Sequence, residues 1–158
     1  MAFTTSKVFG AFIGNKMDGT ITIDLDGSDA FMFALYGNTI TPNENASAAN
    51  SAYNADQWVT GGEKTSGADW PAKGKQITSP DITIGTNFVM WDDNGSNLAS
   101  GAAATLTDVF GGLTFDDTAA APVADQGVCF NYLGGANSVA AGTFNVIFNT
   151  NGILRFTF

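Results

Sequence analysis

Three groups of acidic residues come closest to a pattern that could do chemistry. Asp24, Asp26 and Asp29 place three carboxylates within six residues, and Ca²⁺ prefers oxygen ligands of this kind on a flexible loop. The EF-hand pattern is not met, because the glycine stands at the wrong offset and no Glu occupies its twelfth position. We therefore interpret residues 24–29 as a polar turn, and we expect no bound metal.

Two further acidic pairs, Asp92–Asp93 and Asp116–Asp117, stand at the ends of predicted strands. Paired carboxylates about 5 to 10 Å apart can act as general acid and base in glycoside cleavage. Nothing in the sequence places these two pairs opposite one another, and turn-forming residues surround both. We interpret them as exposed turn caps.

The other common catalytic groups are missing from the composition. The chain has no His, which excludes Ser-His and Cys-His nucleophiles. Cys129, its one cysteine, can form neither an intrachain disulfide nor a usual zinc ligand set, and strand alternation predicts that it lies in the core. Gly111–Gly112 and Gly134–Gly135 do not stand between a strand and a helix, so we predict bulges or sharp turns there rather than phosphate sites. We expect no enzyme and no cofactor.

Charge and hydropathy limit the partners of the chain. Its formal net charge is −9, and only 13% of its residues are charged. Lys73 and Lys75 are the nearest approach to a basic patch, and we interpret them as two solvated loop lysines, so we expect no direct contact with nucleic acid. No apolar stretch approaches the roughly 20 residues that span a bilayer, and no leader-like segment is evident. We expect no membrane association.

Short runs of alternating or continuous apolar residues, separated by Gly, Asn and Pro turns, predict a succession of short strands. Ala30–Tyr36 is apolar almost throughout, which is typical of a central strand buried on both faces. The remaining predicted strands are Ile21–Ile23, Gln76–Thr78, Asp81–Ile84, Phe88–Trp91, Thr105–Phe110, Leu113–Phe115, Gly127–Leu133 and two in the last fifteen residues. The pattern predicts a mainly β fold: a single-domain antiparallel β-sandwich or jelly-roll-like barrel over residues 1–158, with a short N-terminal helix.

The two ends of the chain carry the strongest local signals. Apolar residues at helical spacing predict a helix in Ser6–Lys16, with Thr5 or Ser6 as N-cap, the alternative being an extended arm that grips a neighbouring subunit. Phe144–Phe158 alternates aromatic residues on either side of Asn151–Gly152, which predicts a β-hairpin. We expect the terminal Phe158 to pack into a rigid body.

Residues 37–70 form the longest irregular stretch, with one helical turn expected around Ala48–Gln57. Loops of this length are uncommon in compact domains unless they bind something or are disordered. Tyr53, Trp58 and Trp70 argue against disorder, because aromatic side chains of this size generally need burial.

Several segments resemble a set of small virion proteins of tailed bacteriophages, from one end of the chain to the other. The N-terminal part is similar to a "T-x-S-K-V-[FY]" pattern, and the C-terminal part to a "G-T-F-x-[IV]-x-[FW]-x-x-x-G-I" pattern. The segments that carry the resemblance are Thr5–Phe9, Ala34–Thr39 with Thr41–Pro42, Asp125–Gly127, Gly142–Phe148 and Asn151–Leu154. The resemblance implies a structural part of a virion and does not fix which part.

The leading hypothesis is a capsid decoration, or cement, protein that is assembled in the cytoplasm of the bacterial host. It would oligomerise on the head, with a homotrimer expected, and bridge neighbouring subunits of the major capsid protein. Predicted contact residues lie in the N-terminal segment and the long loop: Phe3, Val8, Phe9, Phe12, Tyr53 and Trp58.

Three other hypotheses stay open. A tail or baseplate component would stack into rings. A carbohydrate-binding β-sandwich would use Trp58, Trp70 or Trp91 as a stacking platform. An enzyme would depend on Asp92 or Asp116.

Overall fold

The computed structural model describes residues 3–95 and 97–158. Strands predominate over helices, and all strand pairs are antiparallel. The strands are β1 (Lys7–Val8), β2 (Phe31–Tyr36), β3 (Lys75–Gln76), β4 (Asp81–Gly85), β5 (Phe88–Asp92), β6 (Leu98–Ala99), β7 (Ala104–Asp116), β8 (Gly127–Gly142), β9 (Asn145–Val146) and β10 (Leu154–Thr157). The helices are α1 (Gly10–Met17), α2 (Ala48–Ser51) and two short 3₁₀ helices, Asp56–Trp58 and Thr60–Gly62.

The strands form three sheets. The largest has five strands in the order β1-β8-β7-β2-β3, the second has the order β10-β5-β4, and the third is the pair β6-β9. Buried side chains from all three sheets belong to one hydrophobic cluster. The mainly β, β-sandwich-like fold predicted from the sequence is thereby confirmed.

Aromatic contacts hold the sheets together. Phe31 of β2 meets Trp91 of β5 edge to face, with ring centroids 4.9 Å apart, and the Trp91 indole N–H donates to the carbonyl of Leu25 at 2.5 Å. Phe33 of β2 meets Phe148 at 5.4 Å in the same manner. Such pairs add about 0.5 to 1.5 kcal/mol beyond their area burial. Phe31 and Trp91 thus connect the large sheet to the three-stranded sheet, and Phe148 packs the segment after β9 onto the large sheet.

The centre of the large sheet agrees with the sequence pattern. β2 lies between β7 and β3 and is almost wholly buried, so the predicted central strand is confirmed. The two strands predicted on either side of Gly111–Gly112 are instead one continuous strand, β7. A Cβ on Gly112 would lie 2.3 Å from the Phe33 ring, and one on Gly111 would lie 2.5 Å from the Phe3 ring. These glycines therefore make room for aromatic rings.

β8 runs nine residues further than predicted, to Gly142. Its register against β7 shifts between Val109 and Gly111, and the extra β8 residues there include Gly134 and Gly135, both with positive φ. The Asn137 side chain donates to the Gly135 carbonyl at 2.8 Å within this irregularity. The bulge interpretation of Gly134–Gly135 is confirmed.

The N-terminal helix exists, but it starts later than predicted. α1 begins at Gly10 with Phe9 in the N-cap position and no side-chain cap, so the expected caps Thr5 and Ser6 are wrong. The preceding residues Lys7 and Val8 pair with Phe130 and Cys129 as an edge strand. Strand pairing overrides the helical spacing at this point. None of the helices in residues 3–95 and 97–158 is long and apolar enough to cross a membrane.

The predicted C-terminal hairpin is wrong, although its turn is present. The amide of Gly152 donates to the Asn149 carbonyl at 2.7 Å, and Gly152 has the positive φ that the turn requires. The two arms then separate, because β9 pairs with β6 and β10 pairs with β5. Phe158 is 76% exposed, so the expected packing of the terminal ring is also wrong.

The irregular stretch forms part of the core. α2 and the 3₁₀ helix Asp56–Trp58 confirm helical structure within 48–57. Trp58 and Trp70 are fully buried, as their size suggested. Ile21 and Ile23 are buried as well, but they lie outside the named strands, so the strand predicted there is wrong.

Candidate functional site

The acidic segment 24–29 forms the predicted polar turn. The Asp29 carboxylate accepts a hydrogen bond from the Asp24 amide at 2.6 Å, and residues 25–28 have turn geometry. Within residues 3–95 and 97–158, no three His, Cys, Asp or Glu side chains lie together in a group that could hold a metal ion.

Asp116 caps a turn, as predicted, but it is buried rather than exposed. Its Oδ1 accepts from the amides of Thr118 and Ala119 at 2.7 and 3.1 Å, whereas its buried Oδ2 has no hydrogen-bond partner among residues 3–95 and 97–158. Burial raises the pKa of Asp116 to about 6, and the Asp29 carboxyl contributes in the same direction. A neutral carboxyl here avoids the cost of an isolated buried charge.

Asp93 is the second buried carboxyl, and its predicted exposure is wrong too. It is 3% exposed, and its Oδ1 accepts from the Gly95 amide at 3.2 Å. Burial, followed by its neighbour Asp92, raises the pKa of Asp93 to about 6. Asp93 interacts with its neighbour Asp92, whereas Asp116 interacts with Asp29, which is distant in the sequence.

The tryptophan platform considered for a carbohydrate-binding module is not present on the surface. Trp58 and Trp70 are 0% exposed and Trp91 is 1% exposed. A ring that stacks on a sugar must present one face to solvent. The three indole rings are used in the core instead.

The predicted partner-contact residues are also mostly interior. Five are buried, and Val8 is half-buried. Phe3, Phe9 and Trp58 lie in one aromatic group, with the Phe9 and Trp58 rings 6.1 Å apart. The five buried residues are Phe3, Phe9, Phe12, Tyr53 and Trp58. The exposure on which the contact prediction rested is therefore wrong for these five, and contact with a partner stays a prediction.

A polar group in the long loop was not anticipated from the sequence. The Tyr53 hydroxyl donates to Glu63 at 2.7 Å and accepts from the Lys73 amide at 3.1 Å. Burial raises the pKa of Tyr53 to about 12, assisted by Glu63, and burial also raises the pKa of Glu63. These contacts fasten the loop to the rest of the structure.

The lysines of the possible basic patch do not form one. Lys73 is ion-paired with Asp117, and its Nζ lies 3.5 Å from Asp125. The interaction with Asp117 is the main reason that the pKa of Lys73 is raised. Lys75 begins β3.

Cys129 lies in the core, as predicted. It is 1% exposed, and burial raises the pKa of its thiol to about 12. A thiol in this state is a poor nucleophile at neutral pH, because the thiolate is the reactive species.

The most conspicuous surface feature is an apolar row across the three-stranded sheet. Ile84 is paired with Val89, and Val89 with Phe156, so the three side chains stand on one face. Ile84 is 77% exposed and Phe156 is 41% exposed. Phe158 follows two residues later and therefore stands on the same face. We call these four residues the apolar row.

The apolar row continues a buried row on the same face. Ile82, Trp91 and Leu154 are in register one step closer to the core, and Trp91 and Leu154 are buried. The same face of the sheet thus covers the core at one end and presents apolar side chains to solvent at the other.

The opposite face of this sheet is covered by its own side chains. The Arg155 guanidinium lies 3.8 Å from the centroid of the Phe88 ring, and that ring lies against Gly85, where a Cβ would come within 2.2 Å of it. The exposed apolar side chains are thus confined to one face.

Sequence reasoning missed the apolar row because it predicted a hairpin over Phe144–Phe158 and expected Phe158 to be packed. The usable signal was the spacing of Ile82 and Ile84 together with that of Leu154, Phe156 and Phe158. The apolar residues on one face of these strands extend beyond the part of the sheet that lies over the core, so the outermost ones are exposed. The sequence does not predict the register in which β4 and β10 pair with β5.

A scan against family models, a search of curated proteins and a search of solved structures each gave no match.

Proposed function

We propose that this chain is a structural protein of a bacteriophage virion, most specifically a decoration protein that binds the outer surface of the head. The observation that carries the proposal is the apolar row, which is a surface suited to contact with another protein. Contiguous exposed apolar groups on one face typically mark interaction sites. The N- and C-terminal sequence resemblance to virion proteins supports a structural role in the virion, and the major capsid protein is the partner that we propose within that role.

The fold supports this role physically. A decoration protein needs a stiff body, and the aromatic side chains of this chain pack its sheets and loops into one core. If each copy covered about 800 Å² on the capsid, an interface of standard size would form at every site. Modest binding energy per copy, summed over many copies, then resists the pressure of packaged DNA.

Fractionated particles test the placement. Heads and tails are separated from purified virions, and each fraction is analysed by mass spectrometry. We expect this chain in the head fraction. Its presence only in the tail fraction would replace the decoration role by a tail or baseplate role, and its absence from both would reject a virion role.

Variants of the apolar row test the surface. The purified chain is added to heads that lack it, and binding is measured by cosedimentation. Ile84→Thr combined with Phe156→Thr should weaken binding by roughly tenfold or more, because the apolar area lost on both strands is worth more than 1.4 kcal/mol. Thr83→Ser, on the opposite face of β4, is the matched control and should bind as the unmodified chain does. Equal binding by both variants would remove the apolar row from the proposal.

The homotrimer expected from the sequence stays a prediction. Light scattering of the purified chain distinguishes monomer, dimer and trimer directly.

A further inference from the structure

The outer edge of β8 is the longest part of the large sheet without a neighbouring strand. β1 covers only Cys129 and Phe130 on that side, and the Tyr132 amide donates to the Ser6 hydroxyl at 2.9 Å. Beyond the glycine bulge, β8 has β7 on one side and, within residues 3–95 and 97–158, no strand on the other. We call residues Ala136–Ala140 the open edge.

The open edge has none of the charged or proline residues that usually prevent pairing, and the irregularities at Gly134–Gly135 and Ala141 bound it without interrupting it. Natural edge strands are protected by Lys, by Pro, by other charges or by a covering element. Residues 126–154 contain no Asp, Glu, Lys, Arg or Pro, and this is the longest uncharged stretch of the chain. The exposed side chains of the open edge are Ala136, Ser138 and Ala140, which are too small to obstruct an approaching strand.

A groove runs beside the open edge. It has a cavity of about 390 Å³ lined by residues of β8 and of the segment 144–147, including Leu133, Asn137 and Phe144. A second cavity of about 260 Å³ continues it and shares Leu133, Val146 and Ile147 with the first. Ile147 is 70% exposed. The edge therefore has apolar surface next to it that an occupant could cover.

Charge favours a second copy of this chain as the occupant. Each copy carries a net charge of −9, so two copies repel unless they meet where neither presents carboxylates. The open edge and the groove beside it lie within the uncharged stretch 126–154. A strand edge is also complementary to itself, because antiparallel pairing about a two-fold axis matches donors with acceptors on both copies.

The area involved sets the expected strength. Stable specific interfaces bury about 1,200 to 2,000 Å² in total, and five paired residues on each side fall short of this. Burial of Ile147 and the groove must add to the strand pairing. We therefore expect a dimer that depends on concentration rather than an obligate one.

We propose that two copies of this chain associate through the open edge of β8, edge against edge in antiparallel orientation, with the groove around Ile147 covered in the contact. The contact is isologous and two-fold, so it produces a dimer of the free chain in place of the homotrimer expected from the sequence. This dimer goes beyond the proposed function and does not depend on the protein being part of a virion.

Ala136 allows a test by charge. In a two-fold antiparallel pair, this position in one copy lies close to the open edge of the other. Ala136→Glu and Ala136→Lys are made separately and examined by light scattering and sedimentation over a range of concentrations. Each alone should raise the dimer dissociation constant by roughly tenfold or more, because a charged side chain on the pairing edge must be desolvated in the contact without an opposite charge to meet it.

The matched control is Ala49→Glu, an exposed alanine in α2. It adds the same charge outside the open edge and the groove and should dimerise as the unmodified chain does. Circular dichroism and thermal unfolding confirm that the variants are folded.

Three results would overturn the proposal. They are an unmodified chain that stays monomeric at its highest soluble concentration, a trimer, and a dimer indifferent to both Ala136 variants. Head binding is measured separately with the apolar-row variants, so loss of dimerisation and loss of the proposed virion role are distinguishable.

Discussion

Tyr53 lies face to face on Phe115, with ring centroids 4.8 Å apart and planes within 12°. Tyr53 belongs to the irregular stretch after β2, whereas Phe115 is near the end of β7. The stack joins the stretch 37–70 to a central strand of the large sheet. The hydroxyl of the same tyrosine then connects Glu63, in the same stretch, with Lys73, which follows it.

Tyr53→Phe separates the stack from the hydrogen bonds. The ring contact with Phe115 remains, but Glu63 loses its donor in a partly buried site. We expect a loss of about 1 to 3 kcal/mol in the free energy of unfolding, because a buried polar group left without its partner bears its desolvation cost. Urea unfolding at pH 7 measures this.

Tyr132→Phe is the matched control. Within residues 3–95 and 97–158, no hydrogen bond of the Tyr132 hydroxyl is present, so the substitution should change stability by less than about 0.5 kcal/mol. Equal effects of the two substitutions would contradict a structural role for the Tyr53 hydroxyl.

Gly127→Ala should destabilise the fold, although it adds only one methyl group. A Cβ at this position would lie 2.3 Å from the Ser51 carbonyl oxygen and 2.7 Å from the Phe9 ring. The Ser51 backbone and the buried Phe9 ring cannot both move away from the added methyl group. We therefore expect a loss of about 1 to 3 kcal/mol in the free energy of unfolding. The midpoint of urea unfolding reports it.

Gly14→Ala is the same chemical change in open space. Gly14 lies in α1, and a Cβ there meets nothing within 4 Å. We expect a gain of up to about 1 kcal/mol, since alanine is the better helix former. If both alanine variants lost stability alike, the close approach at Gly127 would not be the cause.

The sequence predicted well those elements whose burial shows in their own residues. The continuous apolar run of β2 indicated a central strand, and the size of Trp58 and Trp70 indicated that the loop carrying them is ordered. In both cases the signal is local, because apolar side chains of that size need burial wherever the chain places them.

What the sequence could not predict depends on pairing between distant segments. Phe144–Phe158 has turn residues typical of a hairpin, but its two arms pair with other strands, β9 with β6 and β10 with β5, rather than with each other. As a result, Phe156 and Phe158 are exposed as part of the apolar row, whereas the predicted hairpin suggested that Phe158 would be packed. The burial of Asp93 and Asp116 was unreadable for the same reason, since their neighbours in sequence are typical of exposed turns.

Trp58→Ala should be the most damaging single truncation in the aromatic core. The indole contacts rings from three separate parts of the chain, with centroid distances of 5.1 Å to Tyr36, 6.1 Å to Phe9 and 6.1 Å to Phe130. We expect a loss of about 3 to 5 kcal/mol. Thermal unfolding measures it.

Phe158→Ala truncates an equally apolar ring on the surface. Because Phe158 is 76% exposed, its removal should change stability by less than about 0.5 kcal/mol. A large loss here would mean that the terminal ring packs inward, against the exposure on which the apolar row depends.

Acidification from pH 7 toward pH 4 should stabilise the fold, contrary to the usual behaviour of acidic proteins. The pKa values of Asp93 and Asp116 are raised to about 6 by burial, against about 3.9 in an unfolded chain. Between these values the folded state binds more protons than the unfolded state, so stability falls as pH rises through the window. We expect the thermal midpoint to increase on lowering the pH from 7 to about 4.5.

Asp116→Asn tests how much of this increase in stability on acidification is due to the Asp116 carboxyl. The amide oxygen can still accept from Thr118 and Ala119, while the buried charge at neutral pH is removed. The variant should therefore be at least as stable as the unmodified chain at pH 7 and should gain less on acidification, by on the order of 1 to 3 kcal/mol. Asp26→Asn, at an exposed turn position, removes a charge without relieving burial and should keep the slope of the unmodified chain. Because relief of overall acidic repulsion would act on both variants alike, equal slopes for Asp116→Asn and Asp26→Asn would show that the buried carboxyl is not responsible.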